Sequence, residues 1–303
     1  MQMTLTQLKY ALAVREHATM SKAADACHVS QPSLSQGLKK LEETIGVTLF
    51  ERSSSGATPT PAGEAILDQV ERVMEAMNQL EETATAASHS LFEGEMRIGV
   101  IQTLGPYLLP RILPPIERRY PDFDLEVTEG LTEDLLGALR AHELDAVLLA
   151  MPWPISEEIA VIECFEEQLV VGLSPDDPLA EEEAIRLDSI NPDDLLLLDE
   201  GHCLRDHTLD VCDIDPAGTR KTFRGASLET VRAFVESGWG VGVFPALALR
   251  ADCQMTVRQT ASEASRMIAL AVRRSFPHRE SMGEFAEYIA ELVGEAAREP
   301  VRL

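Results

Sequence analysis

Cys203 follows His202 and precedes Leu204-Arg205-Asp206, and a second cysteine, Cys212, stands nine positions further on. The nucleophile of cysteine chemistry is the thiolate, and a neighbouring cation lowers the pKa at which it forms. Arg205, and His202 when protonated, are placed to do this for Cys203, whereas Asp210, Asp213 and Asp215 flank Cys212 and favour its protonated form. First reaction therefore falls to Cys203. Two other chemistries use the same residue types. Zinc could draw on Cys203, Cys212, His202 and His207, but adjacent His and Cys with an eight-residue gap match no standard finger spacing. A dithiol enzyme would carry Cys-x-x-Cys, which is absent. No metal or cofactor site is read. Cys27, Cys164 and Cys253 read as small buried hydrophobes. Five scattered cysteines in 303 residues make no disulfide framework, so a reducing compartment would hold them as thiols and any disulfide would be a signal.

A reactive thiol needs a scaffold. Met96, Ile98 and Val100 alternate as a strand, Gly105 to Arg119 is helix-like, Leu125 to Thr128 is a second strand, Thr132 to Ala141 a helix and Asp145 to Ala150 a buried strand. This is a βαβαβ run. A second set follows, with strands near Leu169 to Leu173, Leu195 to Leu198 and Val241 to Phe244 and a helix over Ser227 to Ser237. The chain returns through a strand at Met267 to Val272 and a closing helix from Glu280 to Arg298. Two α/β lobes joined by crossing strands enclose a cleft, and ligands of such sheets sit beyond the carboxyl ends of the strands. Thr103, Thr132 and His202-Cys203 each follow such an end.

Upstream, Leu5, Leu8 and Leu12 place an apolar stripe on a first helix ending near Thr19, and Ser21 can cap a second. Small residues Ala23, Ala24 and Ala26 allow close helix approach, and Ser30 suits the N-cap of a third helix. There Leu34, Leu38, Leu41 and Ile45 form the inward face and Gly46 marks the end. Gln31, Pro32, Ser33, Ser35 and Gln36 cluster at the leading end, with Lys39 a turn further on. Helix-turn-helix proteins present side chains to base edges there, and Gln can address adenine bidentately. From Pro61, apolar residues at 66, 70, 73, 77, 80, 84, 87 and 91 alternate at four and three, flanked by Glu71, Glu75, Glu81 and Glu82. That is a coiled-coil seam, which either packs on the chain's own core or takes a partner helix; the second implies a dimer and predicts a two-fold operator.

The net charge of −25 speaks against a nucleic-acid binder until it is read by segment. Residues 1–60 hold six basic side chains, including Lys39 and Arg52, against five acids, so the excess acid lies downstream. No apolar run spans a membrane and the N-terminus lacks a secretory signal, so a cytoplasmic location is expected.

The segments Ala23-Ala24, Val29 to Ser35, Leu41-Glu42 and Gly46 to Arg52 together resemble the DNA-binding domain of LysR-type regulators, and Glu236 to Pro245 resembles a turn of their effector domains. Asp199 to Asp206 with Cys212, Gly105 to Pro110 and Arg224 to Thr230 are similar to the peroxide-sensing members of that family. The resemblance implies an α/β fold class: an N-terminal winged helix-turn-helix over 1–60, a long dimerising linker helix over 61–92, and a two-lobed, periplasmic-binding-protein-like effector domain over 95–303. Lobe I would comprise 95–168 and 268–303, and lobe II 169–267. Arg52 would begin the wing and Thr58 to Pro61 close it.

The resemblance also implies a transcription regulator rather than an enzyme, one that senses hydrogen peroxide by oxidation of Cys203 and disulfide formation with Cys212. Thr103, Thr132, His202 and Asp206 would line the peroxide pocket, with Arg273 near it. Gln102 stands where the family usually has proline. Implied partners are double-stranded promoter DNA, hydrogen peroxide, a second copy of the chain through the linker helix, two further copies in a tetramer, and RNA polymerase; no membrane partner is expected. The competing expectation is a regulator that binds a small-molecule inducer in the cleft and keeps its cysteines for structure.

Overall fold

The computed structural model describes residues 3–53, 56–86, 91–214, 227–250 and 252–297. The chain divides into two compact units, Met1–Ala84 and Thr85–Leu303.

In the first unit, α1 (Leu5–His17), α2 (Met20–Ala26) and α3 (Gln31–Ile45) pack around Leu8, Ala11, Val14, Leu34, Leu38 and Leu41. The buried face of α1 thus differs from the predicted stripe: Leu5 is exposed and Leu12 only half-buried, because α1 meets its neighbours through Leu8 and its small side chains. Thr19 rather than Ser21 caps α2, its hydroxyl accepting from the Lys22 N–H. Ser30 caps α3 as predicted, and Gly46 ends it with φ 77°, a left-handed conformation that glycine adopts without Cβ strain. A Cβ on Gly37 would lie 2.7 Å from the Tyr10 ring, so the approach of α1 to α3 requires glycine there.

Strands β1 (Phe50–Ser53) and β2 (Gly56–Pro59) form an antiparallel hairpin. Glu42 ties it to α3 by accepting from the backbone N–H groups of Leu49 at 2.7 Å and Phe50 at 3.3 Å. Helix α4 (Pro61–Ala86) then runs 26 residues, about 39 Å at 1.5 Å per residue. Its first turns serve the unit's own core through Leu67 and Val70, and Arg15 of α1 bridges to Asp68 and Glu71. Val73 and Leu80 are 45% and 68% exposed. Leu91, the last position of the predicted seam, belongs instead to the core of the second unit; Ala87 lies outside the described residues.

The second unit opens with β3 (Glu95–Ile101), α5 (Gly105–Arg119), β4 (Asp124–Gly130), α6 (Thr132–Arg140) and β5 (Ala146–Met151), with β3 lying parallel between β4 and β5. The long strand β6 (Ile159–Leu173) follows, then β7 (Ala184–Ile185), α7 (Cys203–Cys212), α8 (Leu228–Glu236), β8 (Gly242–Pro245), β9 (Thr256–Thr260), β10 (Ser265–Arg273) and α9 (Arg279–Val293). Residues 159–168 of β6 pair with β10, itself antiparallel to β5, and residues 169–173 pair with β8 and β9. One strand therefore serves two lobes, each with its own apolar core. Leu195 to Leu198 is buried but is not a strand; Leu195 makes a parallel bridge to Val241. The closing helix ends at Val293, short of the predicted Arg298, which is outside the described residues.

Candidate thiol site and DNA-reading face

Cys203 and Cys212 are the first and last residues of α7. Nine residues of helix at about 1.5 Å each separate their Cα atoms by about 13 Å, twice the reach of a disulfide. Both side chains are buried, Cys203 within the core of lobe I and Cys212 within that of lobe II. The helix is thus a bar between two cores with a thiol at each end.

Three helix N-termini meet at Cys203. It is itself the first residue of α7, Thr132 is the first of α6, and Thr103 lies two residues before α5. None of the three helices has a side-chain N-cap, so the positive ends of their dipoles are left for whatever anion forms there. The hydroxyls of Thr132 and Thr103 and the backbone of Ala150 act on the sulfur so as to favour its thiolate. Burial pushes the Cys203 thiol up, while Arg266, Thr132, Ala150 and Thr103 pull the other way.

Arg266, on β10, was not among the predicted site residues. Its guanidinium is buried, donates to the Thr103 hydroxyl and carbonyl at 3.1 Å each, and pairs at 2.8 Å with Glu167 of β6, also fully buried. A signal existed in the sequence: an arginine directly before the apolar run Met267 to Val272. Its distance in sequence from Cys203 hid the connection.

The roles expected of the neighbours need correction. Arg205 does not face the sulfur; it donates to the Leu198 carbonyl at 3.3 Å. His202 is buried, and burial lowers its pKa, so it sits there neutral rather than as a second cation. Asp206 is exposed on α7. Arg273 lies at the far end of β10, about 23 Å along the strand from Arg266. There it donates to the carbonyls of Leu139 and Leu144 and pairs with Asp145, clamping the end of α6. Cys212 is pushed up to about 11 by burial alone, not by Asp210 or Asp213; Asp215 is outside the described residues. Gln102 is exposed in the turn after β3, and Thr103 is buried beside it all the same. His207, on the buried face of α7, holds the Pro152 carbonyl through Nε2 at 3.1 Å.

In the first unit, Gln31, Pro32, Ser33, Gln36 and Lys39 are exposed along the start of α3 and Ser35 is half-buried. Lys39 forms only a loose pair with Glu43 at 3.8 Å. Arg52 lies on β1 of the hairpin.

Residues 5–64 match the description "Bacterial regulatory helix-turn-helix protein, lysR family", and residues 89–294 match "LysR substrate binding domain". The DNA-binding transcriptional dual regulator OxyR of Escherichia coli K12 is 36% identical over 293 residues, covering 95% of each chain. A full-length OxyR cysteine variant from Pseudomonas aeruginosa superposes with a TM-score of 0.73 at 35% identity, covering 100% of this chain and 99% of that one. A hydrogen-peroxide-bound OxyR cysteine variant from Corynebacterium glutamicum does so with a TM-score of 0.66 at 33% identity, covering 98% and 94%. With a winged reading head, a two-lobed α/β unit and full-length similarity of this order, the chain belongs to the LysR family of transcription regulators, in its OxyR group.

Proposed function

We propose that this regulator senses hydrogen peroxide through Cys203, with Cys212 as the resolving thiol. The Cys203 thiolate attacks one peroxide oxygen as the O–O bond breaks. Hydroxide leaves, protonated to water, and Cys203 becomes a sulfenic acid. The Cys212 thiol then attacks that sulfur, the S–S bond forms and a second water leaves. Thr103 and Thr132 position the oxidant, and Arg266 with the helix N-termini stabilises the thiolate.

One observation carries this reading: the two thiols end the same helix and are anchored in different lobes. Closing about 13 Å to within about 7 Å requires α7 to unwind and Cys212 to leave its core, so the bond converts chemistry into a change of lobe structure. The output is DNA binding through α3 and the wing, with Gln31, Pro32, Ser33, Ser35, Gln36, Lys39 and Arg52 as contacts on promoter DNA. Exposed Val73 and Leu80 on α4 favour a second copy of the chain as partner, pairing two heads on a two-fold operator. Assembly into a tetramer, contact with RNA polymerase and a cytoplasmic location complete the proposal. Among the described residues no helix is long and apolar enough to cross a membrane.

Mass spectrometry of peroxide-treated full-length protein tests the reading, with a Cys203–Cys212 linked peptide as the expected product. In a promoter assay Cys203→Ser should abolish the peroxide response; a retained response would overturn the assignment.

A further inference from the structure

The peroxide chemistry leaves one buried charge without a task. Glu167 of β6 stands directly opposite Arg266 of β10 in the ladder and is 0% exposed. Its Oε2 accepts from Arg266 Nε at 2.9 Å and lies 2.8 Å from Nη2 in the same ion pair, and its Oε1 accepts from the Leu247 N–H at 3.0 Å. Both carboxylate oxygens are therefore committed, and the guanidinium is held in one plane against Thr103. A buried cation paired in this way attracts a third charge far less than it would alone, because the carboxylate cancels much of its field.

We propose that Glu167 is a positioning residue for the Cys203 reaction, fixing the Arg266 guanidinium against Thr103 and withholding part of its charge from the sulfur. The inference rests on Cys203 as the reacting thiol. Glu167 makes the sensor a guarded one, with a thiolate accessible beside Arg266 but not permanently formed. Without the carboxylate, the two bonds from Arg266 to Thr103 would still hold the guanidinium near the sulfur. The Cys203 thiolate would then become the nearest available anion.

The titratable and charged groups on the elements that pack at Cys203 are otherwise engaged. Burial favours the neutral forms of His202 and His207, Arg205 serves the Leu198 carbonyl, and Asp206 is exposed. Asp199 acts on His202, while Glu133 and Asp134 of α6 and Glu129 at the end of β4 are exposed. Glu229 of α8 is taken by Tyr107 and Arg232. Among the described residues, Glu167 is the carboxylate paired with Arg266.

The test is iodoacetamide alkylation of Cys203, followed peptide by peptide over a pH series in full-length wild type and Glu167→Gln. The variant's profile should move to lower pH, with alkylation at neutral pH about tenfold faster, the equivalent of about one pKa unit. A purely structural role would speed alkylation at every pH without moving the midpoint, and a midpoint that is unmoved or raised overturns the proposal. Glu167→Asp keeps the charge but draws it back by one methylene. It should shift the profile the same way by less, and if Glu167→Gln does not fold, a static midpoint in the aspartate variant is equally decisive. Adding Arg266→Gln to Glu167→Gln should return the midpoint to the wild-type value or above; a midpoint still lowered would show that Glu167 does not act through Arg266. Peroxide linkage of Cys203 to Cys212 in wild type is scored separately. Its failure with a shifted midpoint removes the peroxide reading and leaves the role of Glu167 standing, whereas linkage with an unshifted midpoint removes only the role of Glu167.

Discussion

In the reading head, Leu34, Leu38 and Leu41 are wholly buried, and Gln31, Pro32, Ser33, Gln36 and Lys39, proposed to meet DNA, stand exposed on the same helix. Around Cys203 the arrangement is inverted: Thr103, Thr132, Glu167, His202, Cys203 and Arg266 are all buried, while Asp206 on the outer face of α7 is bystander to the sulfur. The head can therefore separate folding from function residue by residue. The thiol site cannot, because its buried polar groups are at once packing and chemistry, and each must be satisfied by another.

The sharpest way to break that contrast is to cut one buried partner. Arg266→Met leaves Glu167 unpaired in the interior and should destabilise the second unit by about 3–5 kcal/mol. Urea unfolding reads this directly, and a loss under about 1 kcal/mol would mean that the pair is not held as tightly as its burial implies. Gln31→Ala in the head should behave in the opposite manner. Its stability should stay within about 0.5 kcal/mol of wild type. Promoter binding should weaken by about 1–3 kcal/mol, if Gln31 reads a base edge. Equal losses on specific and random DNA would remove base reading by Gln31.

The same contrast explains what the sequence disclosed. Leu34, Leu38 and Leu41 at helical spacing, the Ser30 cap and the Gly46 stop all depend on neighbours within a few residues, and each lies where expected. Thr103, Thr132 and Cys203 were found because each follows the end of a strand or a buried extended segment, a position that topology marks. Arg266 and Glu167 were missed because their partnership depends on the register of β6 against β10, which no local pattern encodes. The family resemblance points to Arg273 rather than Arg266; both arginines bracket the same apolar strand, and only tertiary packing says which one meets Thr103. The sequence reading places no helix over Cys203–Cys212, which the structure folds as α7. His202 and His207 are buried and Asp206 is not, so proximity to Cys203 in sequence misjudged both the cation and the acid.

A smaller effect tests whether burial rather than charge governs the imidazoles. Burial lowers the pKa of His202 and His207 in the folded state. The unfolded chain then takes up protons near the ordinary histidine value of about 6.5, where the folded chain does not. The stability contributed by the neutral rings is full above that pH and is lost as pH falls below it toward the folded-state values. The urea midpoint of the second unit's transition should therefore drop between pH about 7.5 and about 5.5, and His207→Gln should reduce the drop. A wild-type midpoint that stays level across that window would contradict the buried, neutral assignment.

The smallest expected change belongs to the head's sparse positive charge. Lys39 is 73% exposed and its pair with Glu43 is a loose 3.8 Å, so Lys39→Ala should leave stability almost untouched. Each phosphate neutralised by a lysine releases about one counterion, so loss of that contact should lower the slope of log affinity against log salt by about 1. It should also weaken binding to specific and random DNA alike. In a chain of net charge −25, whose first 60 residues carry only six basic side chains, long-range attraction to DNA is weak and the few direct contacts must supply the electrostatic affinity. An unchanged slope would place Lys39 off the phosphate backbone and shift that duty to Lys40, Arg52 and the helix N-terminus at Ser30.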